Sequence, residues 1–204
     1  SKTVIQEDGC ARVEITLAPA GKRAAVEALW LEIPLKDKET PLFHFIADNG
    51  MRFNYAGKTP RGGRIDWYHE KWDSWVPIRW RVAEPGPDDG VIWTAADTRQ
   101  HGNIKTWDHR PFAPYIWLGA EQRGLAFFME TEQGFETDCR APLQKLIRNS
   151  DRVLLRVEMF QRPGVLTRPR TFTFGLMASP GKPQEKAFRT RPFASGAGAV
   201  VCWG

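Results

Sequence analysis

Asp66, Glu70 and Asp73 stand among Trp67, Trp72 and Trp75 in the stretch IDWYHEKWDSW. Two carboxyl groups at a suitable separation are all that glycoside hydrolysis asks of side-chain chemistry. A flat indole face can stack on a sugar ring while nearby acids, histidines and arginines satisfy its hydroxyls. The chain holds nine Trp, four of them inside WYHEKWDSWVPIRW, so aromatic surface is concentrated here. Trp72, Trp75 and Trp107 lie in polar loop contexts and are the candidate rings for stacking on a ligand or a neighbouring domain. Glu70, Asp73 and His109 are the candidate polar contacts beside them. Trp80 and Trp117 fall in strand patterns and are expected to fill a core. An acid next to Trp in a loop is also what an ordinary solvated turn contains, so no residue is assigned as catalytic.

Other chemistries find less footing. There is no G-x-S-x-G turn, and Cys10, Cys139 and Cys202 have neither C-x-x-C spacing nor an adjacent base. They read as buried or unpaired thiols. His44, His69, His101 and His109 match no metal-binding spacing, and GKTPRGGR lacks the order of a phosphate-binding loop. No metal or cofactor is expected. The net charge of +5 is spread through stretches such as DRVLLRVEMFQR, where bases alternate with acids and apolar residues, so nucleic acid is not an expected partner. No apolar run reaches the ~18 residues that span a bilayer, and no membrane partner is expected.

The elements that must position these residues repeat with period two. Val13, Ile15 and Leu17 oppose Arg12, Glu14 and Thr16, as in a half-buried strand. Met51, Phe53 and Tyr55 repeat the pattern, as do Ile78, Trp80 and Val82. Val153, Leu155, Val157 and Met159 form a fourth such row, and Phe172, Phe174 and Leu176 a fifth. GKRAAVEALWLEI reads as strand despite its alanines, whereas Leu143, Leu146 and Ile147 in RAPLQKLIRNS are spaced as in a short helix. The 18 Gly and 15 Pro cluster in TPRGGR, EPGPDDG and RPGV, which punctuate the strands with turns. Residues 84–113 read as long polar loop around one short strand at Trp93. The expectation is an all-β, antiparallel β-sandwich of two packed, twisted sheets, with long loops and at most one or two short helices. At 42% hydrophobic and 26% charged, 204 residues suffice for one sizeable core.

In PYIWLGAEQRGLAFFMETEQGF, an apolar strand ending in Leu-Gly meets a charged turn, and RGLAFF then leads to Glu130 and the Gly134-Phe135 pair. Further on, FTFGLMASPGKP supplies a Phe-Gly-Leu strand and a Pro-x-Lys-Pro turn. Together they resemble the β-sandwich that precedes the catalytic barrel in glycoside hydrolase family 123-like proteins. EDGCARVEITLAP and PLFHFI extend the similarity over about residues 7 to 183. The resemblance implies a sandwich over 1–183, with 184–204 a linker and the start of a following barrel. It implies an extracellular or periplasmic protein whose partners are its own C-terminal barrel and a possible glycan ligand. Characterised members hydrolyse β-linked N-acetylgalactosamine through the substrate's acetamido group and an adjacent Asp-Glu pair in the barrel. No Asp-Glu dipeptide occurs in this sequence, so the pair is not carried over. The expected role is a non-catalytic accessory domain. The alternatives are a self-standing carbohydrate-binding module, or a glycosidase acting through Asp66, Glu70 and Asp73.

Overall fold

The computed structural model describes residues 1–46, 54–68, 79–95, 112–138 and 141–180, with the side chains of 54, 66–68 and 79–84 excepted. Among the described residues fifteen strands follow one another: β1 Lys2–Ile5, β2 Ala11–Leu17, β3 Ala24–Val26, β4 Leu29–Lys36, β5 Leu42–Ile46, β6 Asn54–Lys58, β7 Gly63–Tyr68 and β8 Arg79–Pro85. After them come β9 Gly90–Thr94, β10 Tyr115–Ala120, β11 Arg123–Phe128, β12 Gln144–Asn149, β13 Arg152–Phe160, β14 Gly164–Leu166 and β15 Arg170–Ser179. Among the described residues helix is limited to a short 3-10 turn, Asp37–Glu39, and to Ala95, which is also in 3-10 conformation.

A seven-stranded antiparallel sheet runs β1-β2-β15-β11-β10-β5-β6, and a four-stranded one runs β4-β13-β12-β9. Two ribbons, β14-β3 and β7-β8, complete the pairing. The inner faces meet in one core. Trp93 of β9 packs its ring 5.2 Å from Phe43 and 4.7 Å from Phe45 of β5, joining one sheet to the other. Val153, Leu155, Val157 and Met159 all point into this core, as their period of two requires, and so do Phe172 and Phe174. The all-β sandwich expected from the sequence is the fold observed, and the short strand at Trp93 is β9.

Three local readings need correction. RAPLQKLIRNS is not a helix: Gln144–Asn149 is strand β12, and its inward row is Gln144, Leu146 and Arg148. Two of those three residues are polar, so the period of two was hidden and the leucines suggested a helix instead. Trp117 is not in the core. Ile116 and Leu118 take the inward positions, and Trp117 lies half-buried on the outer face, where its Nε1–H donates to Ser179 Oγ at 3.1 Å. Its ring lies across two glycines: a Cβ built on Gly124 would sit 2.5 Å from the indole, and one on Gly119 2.7 Å. The Leu-Gly and Arg-Gly pairs of this hairpin therefore make room for a ring outside the core. GKRAAVEALWLEI is extended as read, but as two strands, β3 and β4, placed in different sheets. Trp80 pairs with Trp67 across the β7-β8 ribbon in backbone register.

Candidate functional site at the Arg148 end of the sandwich

Arg148 follows Leu146 on the inner row of β12, so the strand carries a guanidinium into the end of the core; its side chain is only 1% exposed. A buried cation needs a counter-charge and acceptors. Asp37, opening the 3-10 turn after β4, supplies the charge and accepts Arg148 Nε–H on Oδ1 at 2.9 Å. The Pro60 carbonyl accepts from Nη1 at 2.6 Å, and that of Asp88 at 3.4 Å. Arg61 donates to the other oxygen of Asp37 from the solvent side. Pro60 and Arg61 lie between β6 and β7, so the cluster ties the seven-stranded sheet to the four-stranded one. Gly62 has φ 69° and its N–H donates to Asp88 Oδ1 at 2.6 Å. That left-handed turn, easy for glycine, bends the chain back over Arg148.

The electrostatics fit a fixed, ionised pair. Burial alone would push the Asp37 carboxyl up, but the hydrogen bonds and charges of Arg148 and Arg61 outweigh it and hold it below the usual aspartate range. The same ion pair pushes Arg61 up. Nη2 of Arg148 has no acceptor; among the described residues only Trp93 Nε1 shares that condition. A buried donor left unmet costs about 1–3 kcal/mol. Arg148 lines a groove of about 630 Å³ at this end of the sandwich. Tyr55 lines it too, its hydroxyl donating to the Lys58 carbonyl at 2.5 Å and pushed up in pKa by burial, so it remains a phenol at neutral pH. The ring crosses Gly57, where a Cβ would meet the hydroxyl at 2.7 Å.

A second guanidinium cluster closes a wider groove. Glu136 accepts from Arg170 Nη1 at 3.0 Å and from Arg162 Nη2 at 3.0 Å, and these arginines hold its carboxyl low. Arg170 also lies over Phe160, 5.2 Å from the ring centroid. The groove beside them measures about 1080 Å³ and is lined by Thr131, Gln133, Thr167 and Arg168 among others.

On the outer face of the four-stranded sheet, alternation along β4 turns Trp30 outward, where it is 48% exposed. Arg156 of β13 lies over one face of the Trp30 ring, 5.2 Å from its centroid, and binds Glu32 Oε1 through Nε at 2.8 Å and Nη2 at 2.5 Å. Glu158, the cross-strand neighbour of Trp30, accepts from Lys145 at 3.0 Å.

Trp72, Trp75, Trp107, Glu70, Asp73 and His109 lie outside the described residues, and so do residues 181–204. Asp66 is on β7, opposite Arg81 in backbone register. Sequence reasoning missed the Arg148–Asp37 pair, which spans 111 positions with no local motif, and missed Trp30, whose alternation within LWLEIPLK marks it as outward-facing. Cys10 is buried and not in a disulfide, in keeping with the reading of its thiol; burial, then the nearby Asp8 charge, push its pKa up. Among the described residues no three His, Cys, Asp or Glu gather as a metal site would require, and no helix is long and apolar enough to cross a membrane. No family model, no curated protein and no solved structure matches this chain.

Proposed function

We propose that this chain is a non-catalytic β-sandwich accessory domain of a glycoside hydrolase-like protein, supporting a catalytic barrel and contributing to glycan contact. The resemblance of the PYIWLGAEQRGLAFFMETEQGF and FTFGLMASPGKP motifs gives the reading its context. The observation that carries it is the way Asp37 and Glu136 are used. Each lies between two guanidinium groups that hold it ionised, so neither of these two carboxyls suits the general acid of glycoside hydrolysis, which needs its pKa raised toward neutrality. The test is hydrolysis of aryl β-N-acetylhexosaminides by the purified chain. No turnover is expected; turnover that survives repurification and disappears in a carboxylate variant would overturn the reading.

A second reading, a self-standing carbohydrate-binding module, is favoured by Trp30, whose half-exposed ring sits beside the Arg156–Glu32 pair. Calorimetric titration with a panel of neutral glycans decides between them. Binding at millimolar concentration that Trp30→Ala removes supports the module; no binding leaves the supporting role.

A further inference from the structure

We propose that the groove beside Arg148 is a binding site for a small organic carboxylate. Four cationic residues, Lys38, Lys58, Arg61 and Arg148, line it against one carboxylate, Asp37. Among the described residues Lys38 and Lys58 make no ion pair, so the positive charge exceeds what Asp37 and the neighbouring Asp88 offset. Arg148 adds directed chemistry. Its Nε and Nη1 are committed, while Nη2 keeps N–H groups with no acceptor in a side chain 1% exposed. An unmet buried guanidinium nitrogen calls for an oxygen acceptor, and a carboxylate is its strongest small partner.

The walls indicate what carries that carboxylate. Pro41, Leu42, Pro60 and Ile65 face the groove together with the Tyr55 ring. Such walls favour a compact carbon body over bare phosphate, and about 630 Å³ is within the range of small-molecule sites. Nη2 is enclosed, and Arg61, whose side chain is 56% exposed, lines the same groove. The site rests on none of the glycan contacts proposed for Trp30.

The test is calorimetry, with NMR of the arginine side-chain N–H groups, on the whole chain. The probes are benzoate against benzyl alcohol, glucuronate against glucose, and inorganic phosphate. In at least one pair the carboxylate is expected to bind about tenfold or more tightly than its neutral counterpart and to move the Arg148 resonances. Lys58→Glu, a surface change, is expected to weaken it at least about threefold, and added salt to weaken it further. A preference for benzoate identifies an apolar body and a preference for glucuronate an acidic sugar. No binding up to about 20 mM, equal binding of the neutral partners, or tighter binding of phosphate would overturn the proposal. Trp30→Ala should leave carboxylate binding unchanged, so failure of this site and failure of the glycan reading are told apart.

Discussion

Arg148 and Asp37, 111 positions apart, meet at 2.9 Å where the two sheets end. The pair joins the inner row of β12 to the turn after β4, and Pro60 and Arg61 bring in the segment that follows β6. Removing one member leaves the other charged and buried. Asp37→Asn is therefore expected to cost about 3–5 kcal/mol in urea unfolding. The double variant Asp37→Asn with Arg148→Met should recover part of that loss, because it removes the stranded charge as well. A single-variant cost within about 0.5 kcal/mol of zero would show that the pair holds nothing together.

Acid should weaken the fold in two stages. His44 is half-buried and its pKa is lowered by that burial, so its protonation favours the unfolded chain. That contribution is complete above the unfolded value of 6.5 and is lost as pH falls through the lower folded value. Asp37 and Glu136 are also lowered, from 3.8 and 4.5, so their contribution is complete above those values and is lost at still lower pH. Unfolding free energy followed by urea titration across this range should fall twice. His44→Gln should remove the upper step and Asp37→Asn should flatten the lower one.

Glycine is required where rings cross the outer face of the seven-stranded sheet. A Cβ on Gly175 would lie 2.2 Å from the Phe128 ring. Gly175→Ala is expected to destabilise by about 1–3 kcal/mol, as overpacking does. Gly124→Ala, which meets Trp117 at 2.5 Å, should behave alike and shift the Trp117 fluorescence or indole NMR signal. Wild-type thermal stability in both variants would show that these rings move aside.

Trp30 is a surface ring, so Trp30→Ala should change stability by less than about 1 kcal/mol in thermal unfolding. Loss of several times that amount would make Trp30 a structural residue and remove the main support for a sugar platform on this face.

How far the sequence could be read depended on whether a residue's partners were local. The alternation of Val153, Leu155, Val157 and Met159 is a property of one strand, and it named the core directly. The charged turn after the Leu-Gly strand was equally legible, and it falls at Glu121–Gln122 between β10 and β11. β12 was not, because Gln144 and Arg148 occupy core-facing positions that only distant partners make tolerable. Gln144 exchanges two hydrogen bonds with the backbone of Ala113, each 3.0 Å, and Arg148 depends on Asp37. Trp117 misled for the opposite reason: a ring in a strand pattern was expected inside, but glycines on two neighbouring positions gave it a place outside. Of the candidate site, the aromatic and carboxylate residues of 69–75 lie outside the described residues, and the charge cluster at Arg148 has no sequence signature.

A non-catalytic role is tested by an NMR time course of the purified chain with an oligosaccharide containing β-linked N-acetylgalactosamine. The anomeric signals of the sugar should stay intact over days. The appearance of cleaved-product anomeric signals that vanish when a carboxylate of this chain is replaced would contradict it.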